Sequence, residues 1–124
     1  MWNELSKSFK GVRIRKGYCD PEYYQFPKHL LTAPISQTSK LIYMMLYDRT
    51  MGYSSARQFD EDGNIFIHYP LTELVEESGR SISAVKIALN ELMEAGMLEK
   101  ESDGFGRPNR LYVMVRPEFG YWID

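Results

Sequence analysis

The residue types that could support catalysis or metal binding are few in this sequence and poorly spaced. The only histidines are His29 and His68, and neither has a cysteine or histidine partner at metal-ligand spacing. His68 alternates with apolar residues and is predicted to be a packed strand residue. The acidic run from Asp60 lacks the spaced ligands of a calcium loop and is predicted to be a solvated turn. Cys19 is predicted to be a free thiol. We therefore expect no catalysis, no metal and no cofactor.

A different chemistry, contact with DNA bases, is suggested by the stretch from Ser81 to Ala95. On a helical wheel one face is apolar, and it consists of Ile82, Val85, Leu89, Leu92 and Met93. The opposite face consists of Ser83, Ala84, Ile87, Asn90, Glu91 and Glu94, with Lys86 on its flank. Asparagine can read adenine through two hydrogen bonds, and an apolar side chain can contact a thymine methyl group. The predicted base-reading residues are Ser83, Lys86, Ile87 and Asn90, and the alternative is an ordinary solvated face.

The charge distribution fits local contact with an anion better than general attraction to one. The net charge is −2. An acid-free segment near the start contains five basic residues: Lys7, Lys10, Arg13, Arg15 and Lys16. The remainder, from Gly17 to Asp124, carries −6, yet its stretch Gly104–Pro117 contains three arginines and no acid. The early segment is predicted to be either a disordered tail or an arm that contacts phosphates.

The elements that would position these residues begin with a long apolar helix. Pro27 is predicted to open a short helical turn, and Ser36 is a good helix N-cap. The run Leu41–Tyr47 is apolar or aromatic throughout, so its helix is predicted to be buried on more than one side. It is either the central helix or shared with a subunit contact. A polar loop is predicted over Met51–Gly63.

The second half of the chain predicts a winged helix-turn-helix. A strand is expected over Asn64–Tyr69, with Phe66 and His68 on one face. A helix follows, with Pro70 at its first position and Gly79 at its end. Its apolar stripe is formed by Leu71, Leu74 and Val75. Ser81 caps the next helix after the short turn Gly79–Arg80, and two short helices joined so tightly make a helix-turn-helix. Gly96 ends that helix, and strands are predicted over Met97–Glu101 and Arg110–Val115.

The turn of the final hairpin is predicted to be a wing that contacts DNA. Glycines at 104 and 106 let the backbone approach a partner closely. We expect Arg107 and Arg110 to be exposed there with no acid nearby, and to contact phosphate or a minor groove together with Asn109. Arg80 and Ser81 are predicted to contact phosphate at the start of the recognition helix. The alternative for the hairpin is an ordinary charged turn.

The length of 124 residues indicates one domain, and the order of the predicted helices and strands assigns it to the α+β class. We predict a basic N-terminal arm over residues 1–22, a winged-helix domain over 23–116 and an aromatic tail over 117–124, which contains Phe119, Tyr121 and Trp122. No signal peptide or membrane-spanning segment is apparent, and a single cysteine cannot form an internal disulfide. A cytoplasmic protein is therefore expected.

Four sequence blocks together resemble the N-terminal domain of the plasmid replication initiator A family, over about Tyr23 to Val115. They read YYQFPKHLL, SKLIYMMLYDR, LNELMEAGMLEK and GFGRPNRLYV. The resemblance implies a winged-helix domain that binds double-stranded DNA at direct repeats in a replication origin, commonly as a homodimer. It also implies that host replication proteins are engaged only through a C-terminal domain, which we expect to be absent from this sequence.

Two other functions remain compatible with the same fold. A winged-helix transcription regulator would bind duplex DNA in the same way, and only the position of its sites would distinguish it. A protein-interaction winged helix would bind no DNA at all. We expect a homodimer, because Leu41–Tyr47 offers much apolar surface and Tyr121 and Trp122 have no obvious place in a lone winged helix. Such a dimer would place two recognition helices about 34 Å apart on one face of the DNA.

Overall fold

The computed structural model describes residues 10–19, 23–52 and 57–119 of the chain. The helices are α1 (Gln37–Met51), α2 (Leu71–Ser78) and α3 (Ile82–Glu94), and short 3₁₀ turns cover Lys28–Thr32 and Pro117–Phe119. The strands are β1 (Arg57–Phe59), β2 (Ile65–Ile67), β3 (Leu98–Glu101) and β4 (Arg110–Val113). They form one antiparallel sheet in the order β1-β2-β4-β3. The predicted α+β winged helix-turn-helix is thus confirmed.

α1 is the central helix of the domain. Its N-terminus is capped by Ser36, whose hydroxyl accepts a hydrogen bond from the backbone N–H of Ser39 at 3.1 Å. α1 packs against α2, α3 and the sheet, and every residue from Leu41 to Tyr47 is buried or half-buried. The predicted burial on more than one side is confirmed. Leu41, Met44 and Tyr47 stay half-exposed, so the predicted use of this run in a subunit contact remains a prediction.

A short hairpin occupies part of the polar loop predicted over Met51–Gly63. β1 and β2 pair with Phe59 opposite Ile65. The connecting turn is built on Asp60, whose carboxylate accepts hydrogen bonds from the backbone N–H groups of Asp62 at 2.9 Å and Asn64 at 2.8 Å. The predicted solvated turn at Asp60 is therefore confirmed. The sequence of β1 does not predict a strand, because Phe59 is the only large apolar residue among its three and no apolar alternation can be detected. In the structure Phe59 is exposed.

The helix-turn-helix forms where capping residues predict it. Gly79 ends α2 in the left-handed conformation, with φ of 69°, and its N–H donates to the carbonyl of Val75 at 3.1 Å. Ser81 caps α3 by accepting from the backbone N–H of Ala84 at 3.1 Å. Pro70 differs slightly from prediction, because it precedes the first helical residue and occupies the N-cap position.

The buried stripe of α3 is rotated relative to the predicted one. Val85, Ala88 and Leu92 are its buried residues, whereas Ile82, predicted to be apolar core, is 50% exposed. Ala84 and Glu91, predicted to face outward, are half-buried. The small side chain of Ala88 lies within the stripe packed against the core. A helical wheel that counts only large apolar residues gives no weight to Ala88. The predicted apolar face therefore lies closer to Ile82 than the observed buried face does.

The core lies between α1 and the inner face of the sheet. Ile67, Leu98 and Leu111 are buried there together with the apolar residues of all three helices. β2 is buried on both faces, since Phe66 is also covered, although it points away from the helices. Within the described residues, no helix is long and apolar enough to cross a membrane, and no cluster of His, Cys, Asp and Glu could hold a metal ion.

Candidate nucleic-acid interface

The outer face of α3 presents all four predicted base-reading residues to solvent. Ser83, Lys86, Ile87 and Asn90 are exposed, and Ile87 retains 69% of its accessible surface. α3 begins directly after the turn of the helix-turn-helix and packs Val85, Ala88 and Leu92 against the core, so its opposite face is the one open to a partner. This is the arrangement by which a recognition helix enters a major groove with its N-terminal half leading.

Two predicted phosphate-contacting residues stand at the start of α3. Arg80 and Ser81 are both exposed. The hydroxyl of Ser81 already accepts the hydrogen bond from Ala84 N–H, yet it keeps its own O–H to donate to an acceptor. The backbone N–H of Arg80 donates to the hydroxyl of Ser78 at 3.2 Å, which holds the turn. The guanidinium of Arg80 thus extends from a well-defined backbone.

A cleft of about 510 Å³ separates α3 from the wing. Lys86 and Asn90 line its helix side, and Lys100, Pro108 and Asn109 line its hairpin side. The described residues that line this cleft include two lysines and no acid. The structure therefore brings three predicted site residues, Lys86, Asn90 and Asn109, to one concave surface that is largely apolar and whose charged lining residues are lysines.

Lys100 was not predicted as a site residue from the sequence. Its register partner is Leu111 on β4, whose side chain faces the helices, so Lys100 lies on the helix side of the sheet. The alternation Leu98-Glu99-Lys100-Glu101 was the available signal, because it places Lys100 on the same face as the buried Leu98. That lysine belongs to the cleft, whereas its acidic neighbours do not.

The opposite face of the sheet is acidic. Glu99 and Glu101 pair in register with Tyr112 and Arg110, which lie on that face. A second cleft there is lined by further carboxylates from the two hairpins: Asp60, Glu61, Asp62 and Asp103. The carboxylates of this face disfavour an incoming polyanion there, whereas the charged residues that line the cleft beside α3 are lysines.

The two wing arginines that were predicted to contact DNA have different surroundings. Arg107 is exposed, and no ion-pair partner for it lies within 4.0 Å among the described residues. Arg110, in contrast, donates from Nε to Asp103 Oδ1 at 3.0 Å, and its guanidinium lies 4.3 Å from the centre of the Phe66 ring. The expectation that Arg110 is exposed with no acid nearby is therefore wrong. The sequence stretch considered acid-free, Gly104–Pro117, excludes Asp103, which is the residue directly before it. The pairing of Arg110 with Asp103 was therefore not expected.

A network on the outer sheet face supports the base of the wing. His68 Nδ1 lies 3.0 Å from the carbonyl oxygen of Asn109, so His68 is a packed residue, as predicted. The hydroxyl of Tyr112 donates to Asp60 at 2.9 Å. Partial desolvation acts to raise the pKa of Asp60, but hydrogen bonds from Asn64, Tyr112 and Asp62 outweigh it and lower that pKa. The wing is thus fastened to the β1–β2 hairpin.

Glu91 positions the recognition helix instead of facing outward. Its carboxylate accepts hydrogen bonds from the hydroxyl of Ser39 and from the backbone N–H of Ser36 at 2.9 Å. It therefore sits at the N-terminus of α1, where a negative charge is favoured. The bond from Ser39 and that from Ser36 lower the pKa of Glu91. The adjacent Asn90 is held outward because Glu91 is held inward.

Replacing Glu91 by glutamine is expected to destabilise the domain in a pH-dependent manner. The folded-state pKa of Glu91 lies below the ordinary value of 4.5, so its contribution is complete above that value and is lost as pH falls through the folded-state pKa. Urea unfolding of both proteins at neutral and acidic pH measures this. Glu94→Gln, at an exposed carboxylate of the same helix, is the control. A stability difference between E91Q and the unsubstituted protein that is the same at both pH values would contradict the assignment.

The sequence matches the family described as the replication initiator protein A (RepA) N-terminus over residues 22–117. The chain belongs to this family. The predicted resemblance over about Tyr23 to Val115 is thereby confirmed. No curated protein matches the sequence significantly.

Three solved structures resemble this initiator domain. The "N-Terminal domain of DNA binding protein" is 25% identical with a TM-score of 0.65, and the match covers 85% of this chain and 90% of that one. The "Structure of Rep-DNA complex" is 29% identical with a TM-score of 0.61, covering 77% of this chain and 76% of that one. The "Structure of MDR initiator" is 26% identical with a TM-score of 0.61, covering 77% and 78%.

The N-terminal arm of the initiator domain is described only in part. Lys10, Arg13, Arg15 and Lys16 are exposed and lie outside any helix or strand. Lys7 lies outside the described residues, as do Tyr121 and Trp122 of the predicted aromatic tail. The only backbone turn among the described arm residues is closed by Tyr18 N–H, which donates to the carbonyl of Arg15 at 3.0 Å.

Proposed function

We propose that this initiator domain binds double-stranded DNA with sequence specificity at repeated sites of a replication origin. The observation that carries the proposal is the acid-free cleft between α3 and the wing, where Lys86, Asn90 and Lys100 meet. Family membership and likeness to a structure described as a Rep–DNA complex support the same function. For this role we infer no catalytic step, no cofactor and a cytoplasmic location.

In the proposed complex, α3 lies in the major groove. Ser83, Ile87 and Asn90 face the base edges, and Lys86 reaches either a base or the adjacent strand. Asn90 supplies the amide that can bind adenine through two hydrogen bonds, and Ile87 offers an apolar surface to a thymine methyl group. Arg80 and Ser81 contact the phosphates that flank the groove.

The cleft accommodates one strand of the DNA backbone. Lys100 faces this strand from the sheet, and Asn109 faces it from the end of the wing turn. Arg107 extends beyond them toward the neighbouring minor groove, where narrow A·T-rich segments attract arginine. Arg110 is not part of the proposed contact, because Asp103 and Phe66 already hold its guanidinium.

Binding as a homodimer to direct repeats is the finer part of the proposal. Two copies would place their α3 helices about 34 Å apart, one helical turn of DNA. The support is the family resemblance more than the apolar run of α1, because four of the seven residues in that run are fully buried within one chain. Sedimentation of the protein, free and on a duplex with two repeats, measures the stoichiometry. Only monomer in both conditions would contradict the dimer.

The test of DNA binding starts from selection of bound duplexes from a random library, followed by fluorescence anisotropy. A duplex of about 30 bp spans nearly three helical turns. The selected sequence is expected to bind at least a thousandfold more tightly than random duplex. Equal affinity for both would contradict sequence-specific binding, and no binding to either would favour the protein-interaction alternative. Occurrence of the selected site as clustered repeats within or near the chain's own gene distinguishes an initiator from a transcription regulator.

A further inference from the structure

The tip of the wing carries an aromatic ring that the domain itself leaves uncovered. Phe105 is fully exposed, the most exposed large apolar side chain among the described residues. Gly104, with φ of 105°, and Gly106, with φ of 76°, flank it in backbone conformations that other residues rarely adopt. The turn therefore holds Phe105 at the apex of the hairpin. Burial of such a ring by a partner is strongly favourable.

The surroundings of Phe105 indicate which partner covers it. Arg107 is exposed two residues away, and Pro108 and Asn109 of the same turn line the cleft that contains Lys86 and Lys100. The nearest acid in sequence, Asp103, is held by Arg110 on the other face. The ring thus stands beside the exposed Arg107 and next to the cleft that reaches α3, and an apolar ring with cationic neighbours fits a polyanion whose base faces are apolar better than it fits an apolar protein surface.

We propose that Phe105 is a wedge that inserts into the minor groove of bound duplex, beside the site occupied by α3. The proposal rests on the proposed DNA binding and adds a residue and a mode of recognition to it. Apolar side chains inserted in this way partly unstack a base step and bend the duplex. Pyrimidine–purine steps unstack most easily, so Phe105 would confer a preference for such a step without hydrogen-bonding any base.

The experiment uses the full chain and the duplex selected as described above, with 2-aminopurine in place of adenine at successive steps flanking the α3 site. Binding of the unsubstituted protein is expected to raise the fluorescence at one step for each bound domain. Phe105→Ala is expected to remove that increase and to weaken binding about tenfold. Phe105→Leu keeps an apolar wedge and is expected to retain most of the increase.

Phe59→Ala is the matched control, since Phe59 is an exposed phenylalanine of β1 on another hairpin. It is expected to change neither fluorescence nor affinity. Phe105→Ala is expected to fold normally, because the ring is fully exposed, and circular dichroism checks this.

Three results would overturn the wedge. Unchanged fluorescence and affinity in Phe105→Ala would refute it while α3 still binds DNA. A loss of self-association in Phe105→Ala without a change on DNA would assign the ring to a contact between copies. Failure of the unsubstituted protein to bind any duplex would refute the proposed function itself, and the wedge with it.

Discussion

Asn90→Ala is expected to weaken binding to the selected duplex by about 1–3 kcal/mol and to relax the preference at one base pair. Asn90 is exposed on the outer face of α3 and lines the cleft, while Glu91 beside it is bound to the N-terminus of α1. The rotation of α3 is thus set, and the Asn90 amide is directed toward the proposed groove. Titrations on duplexes with each base substituted in turn measure the change.

The controls for Asn90 separate base reading from general affinity. Random duplex should bind N90A nearly as well as it binds the unsubstituted protein, because phosphate contacts carry little sequence information. Gln58→Ala removes an exposed amide from β1 and should change neither affinity. An equal loss on selected and random duplex would contradict base reading by Asn90.

The combined variant Lys100→Ala and Arg107→Ala is expected to flatten the plot of log K against log salt by about 1.8 for each bound domain. Each side chain would release counterions from one phosphate, so the affinity at about 0.1 M salt should fall roughly a hundredfold. Selected and random duplexes should lose similar factors. Titrations at several salt concentrations provide both values.

Arg110→Ala is the matched control for the wing. Its guanidinium is paired with Asp103 and stacked on Phe66, so its removal should destabilise the hairpin and leave the salt dependence unchanged. A salt slope that does not change in the Lys100 and Arg107 variant would place the wing off the DNA. The basic segment Lys10–Lys16 would then be the better candidate for the electrostatic contact.

Local signals were sufficient to predict the helix-turn-helix. Ser36 and Ser81 cap helices, and Gly79 ends one in a left-handed conformation, as expected from residue type alone. These features depend on neighbours within a few residues, so one sequence contains them completely. The exposure of Ser83, Lys86, Ile87 and Asn90 follows from the same helical period. β1 could not be predicted, because its strand character depends on pairing with β2.

Contacts between residues far apart in the chain decided the rest. Glu91 and Ser36 are 55 residues apart, and only the packing of α3 on α1 turns that carboxylate inward. Lys100 became part of the cleft through the register of β3 against β4. Arg110 was removed from the candidate contacts by Asp103 across the hairpin and by Phe66 on another strand. The sequence by itself therefore determined which helices form and that Ser83, Lys86, Ile87 and Asn90 are exposed, but not the full buried face of α3. Tertiary structure decided which charges remain available, because a charge is neutralised by whatever lies near it in space.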